Sequence, residues 1–207
     1  MRTVLVLIMI VNLLQAKPLG VVGGVALKLP LEMSVETFIA RSIGYIPKAI
    51  IKDGLPFFGA KRGDFKRKNR LHKGFDIYGN HMDVLASAKG KVIEIAHGKL
   101  SGTYIKLQHT GGVQTLYIHL TSVSVKKGAY VKSGEILGRI DGPAGNAVAP
   151  QLHYEIKLHG VHQNPLEVLK EAYHDKGLLA QIAEDEMVMQ EVVSKRDYLV
   201  KAYLKAH

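Results

Sequence analysis

Between residues 57 and 165 the chain alternates short β-prone runs with glycine-bearing turns, and this rhythm limits its fold more than any other feature. The runs are VIEIA (92–96), TYIKLQH (103–109), VQTLYIHL (113–120), AYVKS (129–133), EILGRI (135–140) and LHYEIKL (152–158). β-Branched and aromatic residues suit a pleated surface, and glycine supplies the turn conformations between them. Strands this short and evenly spaced predict a mainly β, antiparallel core rather than a helical or βα-alternating one.

Helical spacing appears on both flanks. Leu31, Val35, Phe38, Ile39 and Ile43 predict a short amphipathic helix in an N-terminal lead-in. Leu178, Ile182, Met189, Val193, Val200 and Leu204 fall on one face of a C-terminal helical extension, which reads as a packing or solvated helix. Gly20, Gly23 and Gly24 make the stretch from Lys17 to Pro30 a flexible lead-in or an edge segment. Met1–Ala16 has one arginine, an apolar run and a small terminal residue, the layout of a secretory signal. That apolar run is shorter than the ~20 residues a membrane span needs. The expected division is a signal peptide at 1–16, a lead-in or prosegment at 17–56, the β domain at 57–169 and the helical extension at 170–207.

Charge and cysteine content narrow the chemistry. The 207 residues carry 28 Lys+Arg against 18 Asp+Glu, a net charge of +10, which favours an anionic partner. Export makes nucleic acid a poor candidate and a wall polymer or membrane surface a better one. Cysteine is absent, which removes disulfides, thiolate metal sites and thiol nucleophiles together. No serine nucleophile elbow or phosphate loop occurs. The ten histidines are therefore the first place to look for function.

Three segments carry that chemistry. In RLHKGFDI, His72 and Asp76 offer an imidazole and a carboxylate, both good zinc donors. In QLHYEI, strand alternation sends Gln151, His153 and Glu155 to one face, which suits either a groove floor or an exposed sheet face. His119 closes LYIHL at the end of another strand, where a neutral imidazole can exchange a proton near neutral pH. His81, His97 and His109 fall in expected turns and read as surface residues; His159 and His162 flank Gly160 in the turn after the last long run. Lys61, Arg62, Lys66, Arg67, Lys68 and Arg70 form a basic stretch before His72, either a solvated loop or a means of steering an anionic glycan.

Taken in order, these segments resemble the lysostaphin/LytM-type zinc endopeptidases of bacterial cell walls, from about Phe58 to Leu169. The resemblance rests on R-x-H-x-G-x-D ending at Asp76, then Gly90-Lys91-Val92-Ile93, Tyr117-x-His119-Leu120, Gly142 to Ile156, and Asn164-Pro165. It implies an antiparallel sheet forming a groove, or a barrel-sandwich hybrid, with one Zn²⁺ held by His72, Asp76 and His153. It implies His119 as a catalytic histidine. The family's last motif is His-x-His, and its first position here is Gln151, which can lend a hydrogen bond but cannot titrate.

The expected function is an exported, periplasmic or envelope-located bacterial endopeptidase hydrolysing peptidoglycan peptide bonds, with His119 and Gln151 as the catalytic pair. Peptidoglycan is the expected partner, with neither nucleic acid nor a stable membrane span. The alternative is a catalytically degenerate domain that binds the wall or activates a partner hydrolase.

Overall fold

The computed structural model describes residues 20–31, 58–60, 70–147 and 149–170. Its strands are β1 (Gly20–Val22), β2 (Val25–Leu27), β3 (Phe75–Tyr78), β4 (Met82–Leu85), β5 (Gly90–Gly98) and β6 (Gly102–Gln108), followed by β7 (Val113–Leu120), β8 (Ser122–Val123), β9 (Tyr130–Val131), β10 (Ile136–Ile140), β11 (Gln151–Leu158) and β12 (Val161–Gln163). One short helix, α1 (Pro165–Lys170), follows them. Every strand pair is antiparallel. The larger sheet runs β12-β11-β7-β6-β5-β9, with β3 also on β11, and a smaller one runs β4-β10-β8. The mainly β, antiparallel expectation is met, but no barrel closes among the described residues. At the far edge β9 offers only two residues, too short a ladder to carry the sheet round to β12.

The period-2 pattern explains how the sheets pack. Leu152, Tyr154 and Ile156 of β11 point into a core shared with Phe75, Ile77, Tyr117 and Leu137. Apolar burial of this kind stabilises by about 25 cal/mol per Å² removed from water. The other face of β11 is covered too, since Gln151, His153 and Glu155 are all buried. Of the two placements open to that polar face, it is therefore not the exposed one.

β11 organises its surroundings by sharing its edges. One edge pairs His153–Leu158 with β7. The opposite edge is split, with Gln151–Tyr154 on β3 and Ile156–Leu158 on β12. Two short strands thus meet the same long one in succession.

The stretch read as a flexible lead-in or edge segment is an ordered hairpin, β1–β2, running on to Leu31. Val25, Leu27, Leu29 and Leu31 are buried in the common core. Lys28 donates its N–H to Ser87 O at 2.7 Å, and Leu85 donates to Pro30 O at 2.8 Å. Gly20 lies against α1 so closely that a Cβ would sit 1.9 Å from Val168 O. The helix expected from Leu31 to Ile43 falls beyond Leu31 outside the described residues, as does the C-terminal helix expected over Leu178–Leu204. Met1–Ala16 also lies outside them. No helix of the described residues is long and apolar enough to cross a membrane.

Candidate metal centre

Strand register brings the first ligand pair together. His153 on β11 lies directly opposite Asp76 on β3, so the two side chains leave neighbouring strands toward one face. His72 is placed by the segment ahead of β3: its N–H donates to Ala60 O and its carbonyl accepts from Gly59 N, both at 2.8 Å. Gly74 lets this segment lie flat on β11, because a Cβ there would come within 2.3 Å of Tyr154 O.

Three donor atoms converge as a result. His153 Nδ1 is 2.7 Å from Asp76 Oδ1 and 2.8 Å from His72 Nε2. His72 Nε2 is 3.2 Å from Asp76 Oδ1. Tetrahedral ligands ~2.0–2.2 Å from one zinc ion stand about 3.4 Å apart, so this triangle has the arrangement of one face of such a site with its edges contracted by ~0.2–0.7 Å. Two imidazoles and a carboxylate are donor types that zinc takes readily, and all three residues are buried. The residues fit the ion.

Electrostatics agree. Burial would raise the Asp76 carboxyl, but hydrogen bonds from His153 and His72, and their charges, hold it well below the usual carboxylate range. Burial pushes His153 down, yet its hydrogen bonds to Asp76 and Glu155, and their negative charges, carry it up to about 9. The cluster is thus built around a stable anionic oxygen.

His119 approaches from the other neighbour of β11. Pairing between β6 and β7 slips by one residue between Thr103 and Tyr104, leaving His119 as the extra residue of a bulge. Its backbone takes φ 70°, the left-handed region, and its N–H donates to Ser101 O at 3.0 Å. Bulges re-aim side chains, and this one brings the His119 ring to 6.0 Å from that of His153, edge to face. Burial and the His153 charge push His119 down to about 4, so it is neutral at physiological pH. Its Nδ1 and the Oε1 of Gln151 are buried without a hydrogen-bond partner among the described residues. A buried polar atom without a partner is costly and asks for a ligand or water.

Every site residue expected from the sequence is therefore in this one neighbourhood or on its strand. Residues 70–165 match the family model described as Peptidase family M23. That stretch is 96 of the chain's 207 residues.

An uncharacterized metalloprotease of Haemophilus influenzae is 36% identical over 115 residues, covering 55% of this chain and 24% of the relative. The peptidoglycan DD-endopeptidase ShyC of Vibrio cholerae is 32% identical over 100 residues, 48% of this chain and 23% of that one. Stage II sporulation protein Q of Bacillus subtilis is 33% identical over 107 residues, 48% and 36% of the two chains. The matched region spans about a quarter of the first two relatives. Among solved structures, the catalytic domain of lysostaphin from Staphylococcus simulans aligns with a TM-score of 0.49 at 28% identity, covering 57% of this chain and 92% of that one.

The matched stretch also holds histidines that the sequence pattern misplaces. His109 is buried, not on the surface: Nδ1–H donates to Lys89 O and Nε2 accepts from the Thr115 hydroxyl, both at 2.8 Å. His162 lies beside Glu155, its Nε2 3.0 Å from Oε2. Strand alternation in β11 already placed Glu155 on the His153 face, whereas no local signal identified His162. His81 and His97 sit at the surface as expected, although His97 lies within β5 rather than in a turn. Of the basic stretch, only Arg70 is among the described residues.

Proposed function

We propose that this chain is an exported zinc metallopeptidase that hydrolyses peptide bonds of peptidoglycan. The observation that carries the reading is the convergence of His72 Nε2, Asp76 Oδ1 and His153 Nδ1. In this reading those three residues hold one Zn²⁺. When bound, zinc supplies Lewis-acid polarisation of the scissile carbonyl and acidifies water. His119, neutral and with an unpartnered Nδ1, takes up the proton released or hydrogen-bonds the oxyanion. Gln151 orients substrate through its amide, without moving protons. Support for the substrate class comes from relatives named as peptidoglycan DD-endopeptidase and as DD-carboxypeptidase/endopeptidase Mpg, the latter from Neisseria meningitidis. Met1–Ala16 acts as the export signal, which puts the site of action in the periplasm or envelope.

One residue favours a second reading. Gln151 stands where the resembled family has a titrating histidine, which suits a degenerate domain that binds the wall or activates a hydrolase. Sacculus digests analysed by mass spectrometry separate the two. The enzyme reading expects soluble muropeptides from the wild type, loss of cleavage in His119→Ala, and a gain in Gln151→His. That gain reaches up to part of the ~10²–10⁴-fold worth of a positioned general acid–base. Silence from all three zinc-loaded, folded proteins would establish the degenerate reading. Metal analysis tests the centre itself: wild type without zinc, unchanged in His72→Ala, would refute it.

A further inference from the structure

Beyond the three converging donors, β11 and β12 build a second layer behind His153. A histidine binds a metal through one ring nitrogen and is oriented by the partner of the other. Here Nδ1 faces Asp76 and His72, while Nε2 is 3.1 Å from Glu155 Oε1. Glu155 sits two residues along the same strand, so alternation holds both side chains on one face. Its carboxylate is buried, and neither oxygen is idle, since Oε2 accepts from His162 Nε2 at 3.0 Å.

His162 reaches Glu155 because β12 folds back on β11 with His162 opposite Lys157, diagonal to Glu155 on the same face. Gly74 closes the arrangement from the β3 side. A Cβ there would stand 2.9 Å from both Glu155 Cγ and His153 Nε2, so only glycine leaves the pair undisturbed. The order His162, Glu155, His153 is thus a continuous line of hydrogen bonds ending at the imidazole whose other nitrogen faces the donor cluster.

We infer that Glu155 and His162 are positioning residues for a divalent cation, His162 acting by holding Glu155, and Glu155 by fixing His153 with its proton on Nε2 and its Nδ1 lone pair presented to the ion. The inference rests on the metal-centre reading above. A carboxylate accepting from Nε2–H also raises the basicity of Nδ1, which tightens the metal bond. The pair therefore sets how firmly the ion is held, and β12 becomes part of the metal centre although it contributes no ligand.

The test is zinc affinity, measured on the full chain by competition with a chromophoric chelator. Far-UV circular dichroism and thermal melting are recorded for every variant. Loss of an outer hydrogen-bond partner typically weakens metal binding by ~10–100-fold. Glu155→Ala is expected to fall in that range and His162→Ala by about 10-fold. His162→Gln, whose amide can still donate to the carboxylate, should recover most of the loss. Glu155→Gln, nearly isosteric, covers the case in which Glu155→Ala does not fold, and it too is expected to weaken zinc binding. The d–d spectrum of the cobalt-substituted protein should shift in His162→Ala, marking a reoriented ligand rather than a loosened fold. Wild-type zinc affinity and an unchanged cobalt spectrum in folded His162→Ala and Glu155→Gln would overturn the inference while leaving the metal centre intact. Wild type binding zinc no better than His72→Ala would overturn the metal centre, and the inference with it.

Discussion

His119 is held with φ at 70°, a conformation that a side chain bearing a Cβ adopts at a cost. The penalty for a non-glycine residue in this region is about 1–2 kcal/mol. Such strain persists where surrounding structure over-determines it, and it gathers at functional sites. The comparison that isolates it is between two variants that both lack the imidazole. His119→Gly should be more stable than His119→Ala by about 1 kcal/mol in chemical denaturation, since only glycine relaxes at this φ. Equal stabilities would mean that the bulge is not strained. On the proposed mechanism both variants should fail to cleave sacculi, which would show that the strain is kept for the side chain it delivers.

At the scale of elements, β7 and the segments that precede β5 and follow β6 carry a buried polar chain through the core. Ser87 N–H donates to the Tyr117 hydroxyl at 2.8 Å, and the Tyr117 and Thr115 hydroxyls lie 3.0 Å apart. Thr115 then meets His109 Nε2, and His109 Nδ1–H ends the chain on Lys89 O. Removing one member leaves its neighbours buried and unpaired, at about 1–3 kcal/mol. Tyr117→Phe should therefore lower stability by that amount in urea unfolding, although it deletes a single oxygen. A neutral outcome would mean that water reaches the gap. The same elements show what a sequence can and cannot disclose. The six β-prone runs correspond to β5, β6, β7, β9, β10 and β11, because alternation over several residues is a local signal. β3, with four residues all buried, shows no alternation to read. The His119 bulge is a property of register between two strands, which no single strand encodes. His72, Asp76 and His153 were found through the order of motifs along the chain. His109 escaped because a turn position says nothing about which partners fold over it.

For the whole molecule, burial of His109 links stability to pH. Burial lowers its affinity for a proton, against a smaller upward pull from the Lys89 carbonyl, so it sits below the ordinary value of 6.5. The unfolded chain then binds more protons as pH falls through 6.5, and stability drops with it. The contribution is complete above that pH and is lost progressively on acidification. Melting curves from neutral to mildly acid pH should fall less steeply for His109→Leu than for wild type, whatever the difference at neutral pH. Parallel curves would show that His109 titrates alike folded and unfolded. The β1–β2 hairpin has a consequence of another kind, in time. It is made before the strands it packs on, yet Gly20 packs on Val168, and Gly23 lies against Gly111, Val113 and Leu158. Contacts between such distant parts of a chain form slowly, because a large loop must close before they are rewarded. The core cannot be completed until α1 has been synthesised, so a nascent chain that ends short of α1 has no finished fold. By the same logic, a fragment trimmed to residues 70–165 would lack both ends of the closing contact and should be the poorer folder.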